Sequence, residues 1–521
     1  MATAVSGANV IVYPDGRQEL RDATEVQDSP LYNGDLAPVP VARRTWNTYN
    51  YMALWIGMAH NIPTYLLASG LIALGMGWYQ AVITIALGNL IVLVPMLLNS
   101  HGGTKYGIPY PVLARASFGV FGANVPALLR AFIACGWFGI QSWIGGGAVF
   151  TLAGALFGDS WTKASTINIL GNPYPWTQWL SFAIFWVIQM AIILRGMNTL
   201  RRFENWAAPF VLAVGVFLLV WMAILAHGFG PILSQGGKVG WGPSFWTLFF
   251  PSLMAMIAFW STLSLNMPDF TRFGASQRQQ VLGQVLGLPT TMTFFPLLAV
   301  LITSATVVVY GKPIWDPVAL TGQFTNPVVV VLALFTLAVA TISVNVAANT
   351  VAPSYDFSNA IPKAISFRIG SLITGILGIL IQPWRLLADP HVYIFTWLGF
   401  YGGLLGSVAG VLIADYWLIR RTELRLADLY KTNGIYSYTG GWNFRGLISI
   451  LVGAGLAVGG AYTASGTAGP FPASGVIGVF KPLYDYSWVV GFFVALVLYF
   501  LLMLVFPAER EEPTPAAAPV T

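Results

Sequence analysis

The segment WIGMAHNIPTY, residues 55–65, places a histidine, an asparagine and a proline inside a stretch that is otherwise apolar. Pro63 has no backbone N–H, and its ring clashes with the carbonyl of Ala59, so a helix here should kink or unwind. Carbonyls of the preceding turn, including those of Gly57 and His60, would then lose their helical partners. Irregular backbone at membrane depth is tolerated only where protein or a water-filled cavity covers it. The segment therefore predicts a broken helix at a buried binding site; the alternative is a plain proline kink whose polar side chains face neighbouring helices.

The composition of the whole chain is that of a membrane protein. Of its 521 residues, 56% are hydrophobic and 8% are charged, whereas ordinary soluble domains carry about 25% charged residues. The runs are long, continuous and rich in Leu, Ala, Val and Gly, which favours helices over the short alternating strands of a β-barrel. The predicted fold class is an all-α polytopic membrane protein with twelve transmembrane helices, at residues 50–75, 79–99, 121–157, 176–195, 205–228, 245–267, 283–310, 327–353, 369–383, 391–419, 447–466 and 485–506.

The distribution of basic residues predicts the orientation of these helices. An even number of crossings leaves both termini on one side, and Lys and Arg accumulate on the cytoplasmic side. With the amino terminus inside, 19 of the 25 basic residues lie on cytoplasmic segments, and Arg130 lies at or within the third helix. We therefore expect a multi-pass protein of the cell inner membrane with both termini cytoplasmic. The net charge of +6 reflects topology and contact with lipid headgroups, and no nucleic-acid partner is expected.

The two ends of the chain differ from the apolar middle. Residues 1–45 are polar, contain prolines and lack the features of a signal peptide, so they are predicted to form a cytoplasmic segment. Residues 507–521 read as a disordered tail. The chain contains no P-loop, Gly-rich dinucleotide turn, Cys/His metal spacing or nucleophile elbow. Its one cysteine, Cys135, lies in an apolar run and is expected to be a packing residue. We accordingly expect no enzymatic activity, no cofactor and no metal centre.

A second interrupted segment repeats the pattern of the first. NIPTY at 61–65 and NMPDF at 266–270 share an Asn, an apolar residue, a Pro and an aromatic residue. Interrupted helices at corresponding places in two halves are typical of inverted-repeat transporters. This predicts one repeat at 46–230 and a second at 231–420, followed by a cytoplasmic loop and two helices at 421–506. Chance similarity over five residues is the alternative.

The eighth segment, ATISVNVAANTVAPSY, carries polar side chains among small ones. Asn345 and Asn349 are four residues apart and therefore share a helical face, and Ser343 lies two residues before Asn345. Hydrogen bonds between Ser and Asn of packed helices are a common structural feature of membrane proteins. These residues are therefore candidates for a binding site, with interhelical packing as the alternative.

Aromatic and amide side chains recur in the third and sixth segments. Trp137 and Gln141 are four residues apart in CGWFGIQSWIGG, and Trp260 precedes the second interrupted segment. A flat ring with alternating N–H and C=O groups would need aromatic faces to stack on and carboxamides that both donate and accept. Most of the 20 tryptophans are expected at membrane interfaces or in packing. The spacing nevertheless indicates a site for such a ring.

At these residues the chain resembles the nucleobase:cation symporter-1 family, and within it the bacterial allantoin permeases. The likeness includes RTWNTYNYMALWIGMAHNIPTY, HGGTKYGIPYPVLARASFGVFGANVPALLRAF, WFGIQSW, NMPDFTRF, GKPIWDPV, TISVNVAAN and DLYKTNGIYSYTGGWN, and it covers about nine tenths of the chain. The resemblance implies a five-plus-five inverted repeat of the leucine-transporter type with two additional carboxy-terminal helices. It also implies that Trp137 and Trp260 sandwich the substrate, that Gln141 and Asn349 bind its edges, and that Asn61 adds a polar contact.

The cation site that the resemblance implies departs from the family pattern at one residue. In sodium-coupled members, carbonyls of the first and eighth helices and two hydroxyls of the eighth hold the ion. The matching groups here are the carbonyls of Gly57, His60 and Ala340 and the hydroxyl of Ser343, but the second hydroxyl position is Val344. Valine offers no oxygen to a hard cation. The resemblance to a sodium site is therefore incomplete.

These residues define the expected function, which is import of allantoin or a related ureide or nucleobase by secondary-active transport. Proton coupling is the expected substitute for sodium, with His60 as a candidate because histidine titrates near neutral pH. Asn345 could instead lend an oxygen to a weak sodium site. Asp269 and Arg272 match an acidic and a basic position at the inner end of the sixth helix and are predicted to form a gating ion pair. Uracil, hydantoin or another nucleobase is the alternative cargo, and a channel or a membrane-embedded enzyme is the alternative class.

Overall fold

The computed structural model describes residues 9–195, 212–324, 326–387, 389–467 and 469–507, and for Pro327, Ser343 and Ala347 it describes the backbone alone. Residues 508–521 of the predicted tail lie outside the described part. Two antiparallel hairpins are present: β1 Val10–Val12 with β2 Gln18–Leu20, and β3 Thr166–Ile169 with β4 Asn172–Pro175. Helices form the rest of the regular structure.

Between residues 24 and 233 the α-helices are α1 Thr24–Gln27, α2 Thr48–Ala59, α3 Ile62–Ala73, α4 Trp78–Tyr106, α5 Tyr110–Phe118, α6 Asn124–Phe157, α7 Asp159–Thr162, α8 Trp176–Leu194, α9 Leu212–Leu225 and α10 Phe229–Leu233. Between residues 243 and 321 they are α11 Pro243–Phe259, α12 Ser261–Asn266, α13 Pro268–Thr271, α14 Gln277–Tyr310 and α15 Pro317–Thr321.

The remaining α-helices are α16 Pro327–Asn349, α17 Val351–Ala360, α18 Phe367–Leu380, α19 Pro383–Leu386, α20 Gly399–Ile413, α21 Phe444–Val458, α22 Lys481–Tyr484 and α23 Ser487–Val505. Wider π-helical turns, Val392–Leu398 and Ala414–Ile419, extend α20 at both ends. Short 3-10 turns occur at Gly34–Leu36, Val41–Arg43, Ala427–Tyr430, Ile435–Ser437 and Gly478–Phe480.

The helices are of the length and composition that a membrane requires. Within the described residues, seven stretches are long and apolar enough to cross a bilayer, and five further apolar helices are shorter. The long ones are α4, α6, α8, α14, α16 with α17, α20 with its π-helical extensions, and α23; the short ones are α3, α9, α11, α18 and α21. Each of the twelve predicted segments overlaps one of these helices. The all-α polytopic fold is therefore confirmed, whereas the number of crossings and the inverted repeat stay predictions.

Glycines let the long helices approach closely. A Cβ placed on Gly139 of α6 would lie 2.1 Å from the carbonyl oxygen of Gly378 in α18, and one on Gly88 of α4 would lie 2.4 Å from the Cβ of Met256 in α11. Atoms at these distances would overlap, so no larger residue fits without moving a helix. Small residues at helix contacts are how membrane helices gain packing contacts without a hydrophobic driving force from water.

Residues 9–45 pack across one end of the helical bundle, and we call them the N-terminal strap. Leu31 and Leu36 are buried against aromatic side chains of the segment that includes Tyr430. The guanidinium of Arg115 on α5 donates a hydrogen bond to the carbonyl of Leu31 at 3.1 Å, and the Tyr430 hydroxyl donates to the carbonyl of Leu36 at 2.7 Å. The segment that sequence composition marked only as polar is thus anchored to the bundle.

The strap also contacts the ends of two helices that are distant in sequence. The Asn33 side chain donates to the carbonyl of Pro362, just after α17, at 2.8 Å. Arg272, just after α13, donates through both terminal nitrogens to the carbonyl of Asp35, at 3.1 and 3.2 Å. Both of these segments belong to the second predicted repeat, whereas Arg115, which binds Leu31, belongs to the first, so the strap contacts both predicted repeats.

Candidate substrate-binding site

The first predicted interruption is present, and it lies between α2 and α3. His60 ends α2 with φ −82° and ψ 70°, and Asn61 begins α3 as its N-cap. The Asn61 side chain accepts a hydrogen bond from the Thr64 N–H at 2.7 Å and donates one to the carbonyl of Met58 at 2.5 Å. Pro63 sits in the first turn of α3, where a missing N–H removes no helical bond. In this conformation, the side-chain amide of Asn61, which was predicted to contact substrate, is therefore hydrogen-bonded to the backbone on both sides of the break.

The side chain of His60 is buried and contacts neighbouring protein groups. Its Nδ1 lies 2.5 Å from the carbonyl oxygen of Ile56, and its ring meets Phe295 edge-on at 5.0 Å. Because a carbonyl can only accept, Nδ1 carries the proton of this hydrogen bond. The side chain is 4% exposed. The predicted role of His60 in coupling stays a prediction, and in this conformation one of its two nitrogens is already used.

The groups predicted to hold a cation lie on α2 and α16, which pack against each other. Gly57 lies near the end of α2, and Ala340 and Val344 are buried on α16. The side chain of Ser343 lies outside the described part of the structure. Val344 presents an alkyl group where the sodium site implied by the resemblance has a hydroxyl, and the cation site stays a prediction.

Asn345 is engaged by protein at both ends of its amide, and its predicted role as an oxygen ligand of a cation stays a prediction. Its Nδ2 donates to the Gln189 Oε1 at 2.7 Å and to the carbonyl of Phe138 at 3.0 Å. Its Oδ1 accepts from the Nδ2 of Asn349 at 2.9 Å. Gln189 in turn donates to the hydroxyl of Ser142 at 3.0 Å. Asn345 therefore joins α16 to α6 and α8, which is the interhelical packing alternative for this residue.

Trp137 and Trp260 lie in one buried aromatic cluster. Trp260 falls where α11 ends, with φ −101° and ψ 9°, so the sixth predicted segment is interrupted there as well as at Met267. The ring of Phe259 meets Trp137 at 5.3 Å and Trp260 at 5.0 Å, both edge-on, and Trp55 meets Trp260 edge-on at 5.1 Å. The two predicted stacking rings are thus linked through Phe259. Sequence reasoning did not single out Phe259 or Trp55, although Trp55 begins the segment WIGMAHNIPTY and Phe259 directly precedes Trp260.

Among the polar atoms of this region that have no hydrogen-bond partner in the described part of the structure are the Oε1 of Gln141 and the indole nitrogens of Trp55 and Trp260. All three side chains are at most 3% exposed. Buried polar atoms are normally paired, so unpaired ones indicate strain, an ordered water or a bound ligand. One acceptor and two donors beside aromatic faces can bind a ring that presents both N–H and C=O groups.

Asp269 and Arg272 do not form the predicted ion pair in this conformation. Among the described residues, no contact within 4 Å joins their charged groups. The Asp269 carboxylate instead accepts from the Tyr110 backbone N–H at 2.8 Å and from the Asn266 side chain at 3.2 Å. Arg272 reaches away from the bundle to the carbonyl of Asp35 in the strap. Sequence spacing could not show this, because the partner of Arg272 lies more than 200 residues earlier.

A buried ion pair that the sequence did not reveal lies near Asp269. Arg130 on α6 and Asp356 on α17 approach to 3.2 Å, and both side chains are at most 1% exposed. Removing one member of such a pair leaves an uncompensated buried charge, which is costly. The basic residue that topology assigned to the third helix is therefore neutralised within the bundle.

Comparisons with known proteins agree with this architecture. The chain matches, over residues 38–491, the family described as permease for cytosine/purines, uracil, thiamine, allantoin. It is 42% identical to the allantoin permease of Bacillus subtilis over 485 residues, which span 93% of this chain and 95% of that one. It is 41% identical to the purine-uracil permease NCS1 of Arabidopsis thaliana over 433 residues, spanning 82% of this chain and 71% of that one.

A solved structure gives the same result for the fold. The nucleobase-cation-symport-1 family transporter Mhp1, in a closed conformation with bromovinylhydantoin bound, is similar with a TM-score of 0.73 at 25% identity. The match covers 92% of this chain and 98% of that one. The resemblance stated from sequence motifs is confirmed. This chain is a multi-pass membrane protein and belongs to the family of permeases for cytosine/purines, uracil, thiamine and allantoin.

Proposed function

We propose that this protein imports allantoin, or a closely related ureide or nucleobase ring, by alternating access across the cell inner membrane. Both termini lie in the cytoplasm in this proposal, as the distribution of basic residues favours. Transport is driven by a coupled cation, and the protein performs no chemical conversion. The partners are therefore the ring-shaped substrate, the coupling cation and membrane lipids.

The observation that carries the proposal is the set of unpaired polar atoms within the aromatic cluster. The Gln141 oxygen can accept from a substrate N–H, and the Trp260 indole can donate to a substrate carbonyl. Trp137 and Trp260 supply ring faces, and offset or edge contacts of such faces are worth about 0.5–1.5 kcal/mol each beyond burial. Allantoin and uracil, the substrates in the names of the two curated relatives, both present alternating N–H and C=O groups. The chemistry of the site and of these substrates is complementary.

The coupling ion is proposed to be a proton. Val344 replaces an oxygen ligand that a complete sodium site would have, and the Asn345 oxygen is engaged by Asn349. One charge moving down a potential of about 100 mV releases roughly 2.3 kcal/mol, which supports a gradient of about fiftyfold at 1.4 kcal/mol per tenfold. A proton is therefore sufficient for accumulation without a sodium site.

Uptake of radiolabelled allantoin into a transport-deficient bacterial strain tests the proposal. Cells carry the wild type, Gln141→Ala, Trp260→Ala or the control Trp488→Ala. Trp488 is a matched control because it is also buried and its indole nitrogen also lacks a partner, but it stacks on Phe492 of α23 at 5.0 Å. We expect uptake per expressed protein to collapse in the first two variants and to persist in the control.

Competition and ion dependence complete the same assay. Unlabelled allantoin, uracil and hydantoin compete with the label, and the strongest competitor identifies the preferred ring. Uptake is repeated without sodium and with a protonophore. Undiminished uptake in both site variants would refute the site, and collapse of uptake without sodium would refute proton coupling.

A further inference from the structure

A cavity of about 190 Å³ lies toward the end of the bundle opposite the N-terminal strap. Helix α6 starts near α5, which is bound to the strap, and it runs to Phe157 at the opposite end of the bundle, where the cavity lies. The polar and aromatic lining consists of Trp143, Phe150 and Thr151 on α6, Gln178 on α8, and Trp315 and Asp316 just before α15. The topology of the proposed function puts this end on the outer side of the membrane.

The cavity is adjacent to the candidate substrate-binding site and one helical turn farther out. Its lining includes Ile144, which follows Gln141 by three residues on α6, and Leu66, which follows Asn61 by five residues on α3. At 1.5 Å per helical residue these offsets amount to about 4.5 and 7.5 Å along the two helices. A molecule that enters from this end therefore meets the cavity before it reaches Gln141.

The walls of the cavity are held in place by packing. The indole of Trp143 contacts Tyr174 at 5.1 Å, Trp179 at 5.5 Å and Trp384 at 5.6 Å, so other aromatic rings support it from several elements. The backbone carbonyl of Trp315 accepts a hydrogen bond from the hydroxyl of Ser69 on α3 at 2.7 Å. The indole of Trp143 and the backbone of Trp315, which belong to different segments, are thus fixed around one space.

The chemistry of the lining matches that of the inner site. Trp143 and Trp315 offer ring faces, the Gln178 carboxamide can donate and accept, and the Asp316 carboxylate can accept from an N–H. One oxygen of Asp316 already accepts from the Val318 N–H at 2.9 Å, which fixes the carboxylate at the start of α15. Pockets for drug-sized molecules measure about 300–1,000 Å³, so the smaller volume here fits a single ring.

We propose that this cavity is a second, outer binding site for the same class of flat ureide or nucleobase ring. The ring occupies it on the way to the inner site at Gln141 and Trp260, stacking on the indoles of Trp143 and Trp315. This inference rests on the proposed function. It assigns a role to Gln178 and Asp316, which the inner site does not use.

Substrate protection of a cysteine in the cavity tests the proposal. The chain has one cysteine, Cys135, which is fully buried, so a membrane-impermeant thiol reagent added to intact cells meets little background. Thr151→Cys places a thiol in the lining. The inner site is disabled in the same chain by Gln141→Ala and Trp260→Ala, so that protection cannot come from binding there. Ser160→Cys, at an exposed residue beyond α6, is the control.

We expect allantoin to slow labelling of Thr151→Cys in the disabled background and to leave labelling of Ser160→Cys unchanged. At ten times the dissociation constant the labelling rate should fall about tenfold, because only the unoccupied fraction reacts. Adding Trp315→Ala should restore labelling in the presence of allantoin.

Three other outcomes are informative. Labelling that allantoin, up to its solubility limit, does not slow would overturn the outer site, and so would a Thr151→Cys thiol that the reagent never reaches. Either result leaves the proposed function intact if the wild type still takes up allantoin. Failure of the proposed function has a different signature, which is a wild type that transports none of allantoin, uracil or hydantoin.

Discussion

Replacing Gln141 by Met separates binding from stability. Met has a similar volume and shape but no amide, so it removes the unpaired Oε1 that the empty protein buries. A buried polar group without a partner costs about 1–3 kcal/mol. Gln141→Met should therefore raise the thermal unfolding temperature of the purified, substrate-free protein. The same change leaves a substrate N–H unpaired in the complex, so the half-saturation concentration for allantoin uptake should rise about 5- to 150-fold, the equivalent of 1–3 kcal/mol.

Gln189→Met is the matched control for this measurement. Gln189 is equally buried, but its amide accepts from Asn345 at 2.7 Å and donates to Ser142 at 3.0 Å. Gln189→Met removes the hydrogen bonds to Asn345 and Ser142, so it should lower the unfolding temperature. Both proteins are measured in the same detergent, with uptake normalised to the amount of protein in the membrane. The reasoning is wrong if Gln141→Met destabilises the empty protein or leaves the half-saturation concentration unchanged.

Three further changes have defined outcomes. Val344→Thr supplies a hydroxyl at the second ligand position of the implied sodium site, so the ratio of uptake with sodium to uptake without it should rise; an unchanged ratio would argue against that site. Burial raises the pKa of Asp316, which penalises its ionised form in the folded state. Asp316→Asn should therefore raise the unfolding temperature at neutral pH, and the gain should vanish as the pH falls below the ordinary Asp pKa, where both side chains are neutral; a gain independent of pH would contradict this. Asp356→Leu should lower the free energy of unfolding by about 3–5 kcal/mol because it leaves the buried charge of Arg130 without a partner, whereas the double variant Arg130→Met with Asp356→Leu should lower it far less. Denaturation of the purified variants measures both values, and equal decreases in the single and double variants would contradict the ion pair.

The sequence predicted the broken first helix because the signal is local. Pro63 removes a donor, and Asn61 is a good N-cap, so chemistry within five residues is sufficient to end one helix and begin another. The interruption at Trp260 could not be predicted in this way. Neither Phe259 nor Ser261 beside it disfavours a helix as Gly or Pro would, so the break there depends on packing against distant helices.

Contacts between distant segments account for the other differences from expectation. The sequence around Asn345 is typical of a ligand-binding residue. Its hydrogen-bond partners Gln189 and Phe138, however, are more than 150 residues away along the chain. Arg272 has Asp269 three residues before it, but it binds the strap instead. Periodicity identifies which residues are polar at membrane depth, and only the tertiary arrangement determines which of them already have partners.

The order of synthesis gives the N-terminal strap a particular place in assembly. Residues 9–45 leave the ribosome well before Pro362 and Tyr430, to which they bind and which lie 329 and 394 residues after their partners in the strap. Their nearer partner Arg115 also hydrogen-bonds Leu429 at 2.9 Å, so it too reaches its final environment late. The strap is therefore made long before it can dock, and its docking marks a chain in which the helices between the strap and Tyr430 have already been made.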